Sequence, residues 1–130
     1  MNFRRALLAG VVIAAVACGG GTTAVIETVD PVTAGNLADE PGTVVLDVRT
    51  PQEFAEGHLI DAVNVDFSAT DFADQIAALD RTAAYVVYCR SGNRSAQAMD
   101  LFRRLEFTDV HEIEGGIVAW VAAGLPITGG

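Results

Sequence analysis

Short apolar runs alternate with amphipathic segments along most of the chain, and glycine, proline and polar residues separate them. Apolar runs rich in β-branched residues predict strands at residues 24–29, 44–48, 62–65, 84–89 and 110–113. Apolar positions at helical spacing predict helices at residues 33–40, 68–79, 93–105 and 117–123. A further short helix is predicted between Thr50 and Gly57, because a capping threonine, a proline and a glutamate mark its start.

Strands that alternate with helices in this way predict an α/β fold with a parallel sheet covered on both faces. In such sheets the functional crevice lies at the carboxyl ends of the strands. Cys89 is the last residue of the most apolar predicted strand. We therefore expect Cys89 to lie in that crevice.

The first 18 residues have the pattern of an export signal. Arg4 and Arg5 precede an uncharged stretch, residues 6–17, which is short compared with the roughly 20 apolar residues of a transmembrane helix. The small residues directly before Cys18 resemble the lipobox of bacterial lipoproteins, in which the cysteine is lipidated. Position 15, however, is alanine where that motif most often has leucine. Plain secretion and an uncleaved anchor remain alternatives.

This interpretation divides the chain into three parts. Residues 1–17 are a lipoprotein-type signal peptide, residues 18–23 are a lipidated cysteine with a glycine-rich linker, and residues 24–130 are one domain. The linker after Cys18 spans at most about 17 Å. We therefore expect the domain to be held close to the membrane on its extracytoplasmic face.

Charge and composition exclude several classes of function. The chain has 17 acidic residues, 8 basic residues and a formal charge of −9 at pH 7, and every basic residue is arginine. A nucleic-acid-binding protein with a basic face is excluded by this balance. The two cysteines and two histidines lack the spacing of a zinc site, so no metal is expected.

The loop after Cys89 carries the candidate chemistry. Its residues are Arg90, Ser91, Gly92, Asn93 and Arg94, and a helix is predicted to begin there. Backbone N–H groups without partners at a helix start favour the thiolate form of a nearby cysteine. Glycine lets such a loop turn its N–H groups inward to form an anion-binding nest. The alternative is a structural cysteine beside two surface arginines.

Four segments in this order resemble the rhodanese family, and the resemblance spans about residues 25–126. The segments are residues 46–49 with 51–54, residues 56–62 with Asn64, the loop 89–94, and residues 114–117 with Trp120 and residues 124–126. The resemblance implies a three-layer α/β/α fold with a central, mainly parallel five-stranded sheet.

The resemblance also implies sulfur transfer without a metal or an organic cofactor. Cys89 would take the sulfane sulfur of a small anionic donor such as thiosulfate and pass it to a thiol or cyanide. Residues 90–94 would bind the donor, with Arg90 and Arg94 pairing its charges. Asp47 and Arg49 look like the buried pair that braces the loop in this family. His58 is expected to be a hydrogen-bonded supporting residue rather than a general base.

Other functions are possible. Cysteine phosphatases hold phosphate with five residues between cysteine and arginine, whereas four separate Cys89 from Arg94 here. A phosphatase or arsenate reductase is therefore an alternative enzyme, and a non-enzymatic binding module or a protein persulfide relay is another alternative. We expect Trp120 to pack in the core or at its rim and His111 to lie at the surface. The sequence does not indicate the oligomeric state.

Overall fold

The computed structural model describes residues 23–130. The predicted signal peptide, Cys18 and most of the linker lie outside these residues. Within residues 23–130, the helices are all too short or too polar to cross a membrane.

Seven strands and five helices alternate along the described residues. The strands are β1 (Val25–Val29), β2 (Val44–Asp47), β3 (His58–Leu59), β4 (Val63–Asn64), β5 (Ala84–Tyr88), β6 (Asp109–Ile113) and β7 (Ile127–Thr128). The helices are α1 (Pro31–Ala38), α2 (Pro51–Ala55), α3 (Phe72–Ala77), α4 (Asn93–Arg104) and α5 (Gly116–Ala122).

Five of the strands form a parallel sheet in the order β1-β6-β5-β2-β4. This sheet confirms the predicted α/β class. The most apolar strands, β5 and β2, lie inside the sheet, where both of their faces are covered.

Helices cover both faces of the sheet and form two apolar cores. On one face, Phe72 and Ile76 of α3 and Phe102 of α4 pack against β5 and β6. On the other face, Ala34 of α1 and Trp120 of α5 pack against the opposite sides of the same strands. The predicted three-layer arrangement follows from these two cores.

The structure differs from the predicted elements in three places. Helix α3 is shorter than the predicted 68–79, because the Asp66 carboxylate accepts hydrogen bonds from the backbone and hydroxyl of Ser68 and holds a turn before it. Strand β4 is reduced to two residues. Strands β3 and β7 were not predicted, and they form a small antiparallel pair of their own.

His111 is not at the surface, so that prediction was wrong. It is 8% exposed in β6, and its Nε2 lies 2.6 Å from Asp109 Oδ1. The register places Glu27 of β1 opposite His111, with 3.2 Å between Glu27 Oε1 and His111 Nδ1. These carboxylates come from a neighbouring turn of the strand and from a strand far away in sequence, which is why His111 alone revealed no partner.

Candidate active site

Cys89 directly follows β5 at the carboxyl end of the sheet, and it is 1% exposed. Its Sγ accepts a hydrogen bond from the backbone N–H of Gly92 at 3.1 Å. The Ser95 hydroxyl lies 3.4 Å from the same sulfur and is itself fully buried. The thiol therefore lies inside a cradle formed by the loop and the first turn of α4.

This cradle changes the acidity of the thiol. Burial raises the pKa of Cys89, but the Ser95 hydroxyl and the N–H groups of Ser95, Gly92 and Arg94 lower it by hydrogen bonding to the sulfur. The hydrogen bonds outweigh the burial, so the pKa of Cys89 is lower than that of an ordinary thiol. A larger fraction of the sulfur is consequently in the nucleophilic thiolate form near neutral pH.

Glycine is required where the loop meets the start of α5. Gly92 has a φ of +103°, and a Cβ atom on it would lie 3.4 Å from the backbone nitrogen of Gly115. The N–H groups of Ile117 and Val118 donate to the carbonyl oxygens of Cys89 and Arg90 at 2.9 and 3.1 Å. Because α5 takes up these carbonyl groups, the loop can direct its N–H groups towards the sulfur.

Asp47 and Arg49 form a buried ion pair at the end of β2, with 2.7 Å between Arg49 Nη2 and Asp47 Oδ2. Arg49 also donates to the carbonyl oxygen of Gly57 at 2.6 Å. The Tyr88 hydroxyl donates to Asp47 at 2.5 Å and accepts the N–H of Leu59 at 3.1 Å. The pair is thus linked to the loop through Tyr88, which precedes Cys89, rather than through residues 90–94.

The guanidinium of Arg94 is held by Glu53, which belongs to α2. Two hydrogen bonds of 2.7 and 2.9 Å join the two side chains in a bidentate pair. The Arg94 hydrogen bond is the main cause that lowers the pKa of Glu53 to about 2. Arg94, which was predicted to bind the donor through its charge, therefore has a carboxylate as its partner.

The other predicted loop residues are accessible. Arg90, Ser91 and Asn93 are exposed, and Arg90 forms no ion pair with any residue between 23 and 130. Asn93 begins α4, and its side-chain oxygen accepts a hydrogen bond from Gln97 at 3.0 Å. Arg90 is consequently the loop side chain that is free to meet an anionic ligand.

His58 lies in β3, where its Nδ1 is 2.9 Å from the carbonyl oxygen of Phe54. Its ring stacks on that of Phe54 with 3.8 Å between the ring centroids. These contacts fix the ring between α2 and β3, the placement that a supporting residue would have.

The sequence did not reveal the parts that Glu53, Ser95 and Tyr88 play at this site. Glu53 was assigned only to the capping of α2, a bond that the structure also contains. Ser95 lies at the third position of α4, and no sequence pattern distinguishes it from other helical serines. Tyr88 was interpreted as strand core, and its hydroxyl acts across the sheet.

Two cavities lie near the surface of the described residues, and Cys89 lines neither of them. A cavity of about 470 Å³ lies between α1, Trp120 and the segment 59–63. A shallower one of about 380 Å³ lies beside Arg49, Gly57 and the exposed valines of α5. Among residues 23–130, no group of His, Cys, Asp and Glu side chains is arranged to hold a metal ion.

Comparisons with known proteins agree with this geometry. A Synechocystis protein, slr1261, is 34% identical over 99 residues, which cover 76% of this chain and 54% of that protein. The chain thus spans about half the length of that relative. Thiosulfate sulfurtransferase GlpE of Pseudomonas aeruginosa is 41% identical over 81 residues, 62% of this chain and 72% of the enzyme.

A solved structure shares the fold. The crystal structure of a rhodanese-related protein from Thermoplasma volcanium has a TM-score of 0.70 and 28% identity, and the match covers 78% of this chain and 97% of that one. The Rhodanese-like domain family matches residues 30–123, which is more than half of the chain. The protein therefore belongs to the rhodanese-like domain family.

Proposed function

We propose that this protein is a sulfurtransferase that moves a sulfane sulfur from thiosulfate, or a related donor, through a persulfide on Cys89. The observation that carries the proposal is the cradle around Sγ, where N–H groups and the Ser95 hydroxyl lower the pKa of the thiol. The relatives that are named thiosulfate sulfurtransferase support the choice of donor.

In the first half-reaction, the Cys89 thiolate attacks the outer sulfur of thiosulfate. The bond between the two sulfur atoms of thiosulfate breaks, its electron pair leaves with sulfite, and Cys89 carries a persulfide. The N–H groups that hold the thiolate lie where the persulfide and the leaving anion would gain negative charge. Arg90, exposed beside the loop, would attract the anionic donor.

In the second half-reaction, a thiol or cyanide attacks the outer sulfur of the persulfide. The Cys89 thiolate is the leaving group, and its lowered pKa makes it a good one. Two simple displacements replace one difficult transfer, so ping-pong kinetics are expected. No residue has to act as a general base, because the attacking sulfur is already stabilised as a thiolate.

Mass spectrometry of the intact protein before and after thiosulfate treatment tests the first half-reaction. We expect a mass gain of one sulfur atom that cyanide removes. Cys89→Ala should show no gain, and Ser91→Ala, a control in the same loop with an exposed side chain, should retain it. A folded protein that takes up no sulfur would overturn the proposal.

A lipid anchor on Cys18 is the second part of the proposal. The apolar stretch and the small residues before Cys18 support it, and it would place the enzyme on the extracytoplasmic face of the membrane. Labelling of the expressed full chain with a fatty acid should modify the wild type but not Cys18→Ser. Label that remains in Cys18→Ser would contradict the assignment.

A further inference from the structure

Two of the three arginines nearest to Cys89 are already paired with carboxylates. Arg49 is bound to Asp47 and Arg94 is bound to Glu53, at 2.7 Å in both cases. Of the three, only Arg90 lacks an ion pair with residues 23–130. The site therefore offers an anionic ligand one side-chain charge, together with the N–H groups of the loop.

Glu53 is held in place from its own helix. The Thr50 hydroxyl donates to Glu53 Oε1 at 3.2 Å, and the backbone N–H of Thr50 approaches the same oxygen at 3.4 Å. Thr50 Oγ1 in turn accepts the backbone N–H of Glu53 at 3.2 Å. The carboxylate thus meets Arg94 from a fixed position, and both edges of the pair are used in a bidentate geometry.

The pairing brings together residues 41 positions apart in sequence, and it is partly shielded from water. The side chains of Arg94 and Glu53 are 29% and 27% exposed. An incoming dianion would have to displace Glu53 from Arg94 or leave its second charge without a partner. A donor with one charge needs only Arg90 and the N–H groups.

We propose that Glu53 is a specificity-determining positioning residue, which holds Arg94 and thereby favours sulfane-sulfur donors that carry one negative charge over the thiosulfate dianion. This inference rests on the proposed sulfurtransferase function and concerns the choice among its donors. Organic thiosulfonates and organic persulfides are donors of the favoured class. With methanethiosulfonate, the Cys89 thiolate takes the terminal sulfur, the S–S bond breaks and methanesulfinate leaves with its electron pair.

Thiosulfate and methanethiosulfonate form a matched pair of probes, because they differ by one charge at nearly the same size. The rate at which each adds sulfur to Cys89 is measured by mass spectrometry on the full chain. Glu53→Gln keeps the side-chain shape but frees the Arg94 charge. We expect the thiosulfate rate to rise relative to the methanethiosulfonate rate by about tenfold, the worth of one charge-assisted hydrogen bond.

Two variants separate this effect from a general change in charge. Asp100→Asn also removes a carboxylate that pairs with an arginine, Arg103 at 3.0 Å, on the exposed side of α4. It should leave the ratio of the two rates unchanged. Adding Arg94→Gln to Glu53→Gln should abolish the gain for thiosulfate, since the freed guanidinium is then absent.

The ratio distinguishes the inference from the proposed function. If both donors load Cys89 but Glu53→Gln leaves their ratio unchanged, the inference is overturned and the sulfurtransferase function stands. If neither donor loads Cys89, the proposed function itself fails. Should Glu53→Gln not fold, the wild type provides a second readout: added salt should not slow loading by thiosulfate, and a steep slowing would overturn the inference.

Discussion

A Cβ atom on Gly116 would lie 2.5 Å from the carbonyl oxygen of Cys89, closer than any side chain tolerates. The same atom would lie 2.5 Å from the carbonyl oxygen of Arg90. Helix α5 thus begins directly against the backbone that carries the nucleophile. The cradle depends on this approach, because two N–H groups of α5 bind those carbonyl oxygens.

Gly116→Ala should therefore damage both stability and chemistry. Its φ of +61° already disfavours alanine, and the contact with Cys89 and Arg90 adds to the cost. We expect the free energy of unfolding to fall by about 2–5 kcal/mol and sulfur loading of Cys89 to be lost in the folded fraction. Urea unfolding and mass spectrometry measure the two effects.

Gly42→Ala is the matched control for that variant. Gly42 also has a positive φ, +84°, but nothing lies within 4 Å of a Cβ atom built on it. It should lose only about 1–2 kcal/mol, from the backbone conformation, and keep its sulfur loading. Equal losses in the two variants would show that the close approach to Cys89 has no particular importance.

The lowered pKa of Cys89 predicts a pH profile. Burial raises this pKa and hydrogen bonds lower it further, with the Ser95 hydroxyl as the largest lowering contribution. The rate of alkylation by iodoacetamide should thus stay high as the pH falls below the ordinary thiol pKa, and should decrease only through the lowered value. Ser95→Ala should shift that decrease to higher pH, because the thiolate loses a donor.

Ser91→Ala serves as the control for the alkylation profile, since Ser91 is in the same loop but is exposed. Its profile should overlay that of the wild type. If Ser95→Ala also overlays the wild type, the backbone N–H groups alone hold the thiolate.

Glu53 predicts an acid-sensitive contribution to stability. Its hydrogen bond to Arg94 is the main cause that lowers its pKa from 4.5 to about 2. A carboxyl with a lowered pKa contributes stability that is fully present above its ordinary pKa and is lost as the pH falls towards the lowered one. We expect Glu53→Gln to be less stable than the wild type at neutral pH, and the difference to shrink below about pH 4.5.

Denaturant midpoints of both proteins across that range measure the difference. Asp100→Asn, whose ion pair with Arg103 is largely exposed, should show little difference from the wild type at either end. A difference between the wild type and Glu53→Gln that stays constant as the pH falls would contradict the assigned pairing.

The sequence predicted the sheet well because its strands carry their burial in their composition. Strands β2 and β5 are almost continuously apolar, and they are the strands buried on both faces. The β3–β7 pair could not be predicted, because it consists of two residues on each side and joins positions nearly seventy residues apart. Such a pair has no periodicity to detect.

The site divides in the same way. The loop from Cys89 to Arg94 is contiguous, so the sequence revealed both the nucleophile and its N–H donors. The Glu53–Arg94 pair and the Tyr88–Asp47 bond each join residues 41 positions apart, and their partners are decided by the packing of α2 and β2 beside β5. Glu53 also satisfied a local capping pattern, which concealed its second contact.

Tyr88 predicts how strongly the buried ion pair supports the site. Its hydroxyl donates to Asp47 and accepts from the N–H of Leu59, and all three residues are buried. Tyr88→Phe should lower the free energy of unfolding by about 1–3 kcal/mol, because a buried carboxylate and a buried N–H lose their partner.

Tyr85→Phe is a conservative control on the same strand. The Tyr85 hydroxyl donates to the carbonyl oxygen of Asp80 at 2.6 Å in a partly buried place, where water can replace it. Urea unfolding should therefore show a smaller loss than for Tyr88→Phe. Because Tyr88 precedes Cys89, its variant should also slow sulfur loading, whereas Tyr85→Phe should not. Equal losses in both assays would mean that the link from Asp47 to the loop does not run through the Tyr88 hydroxyl.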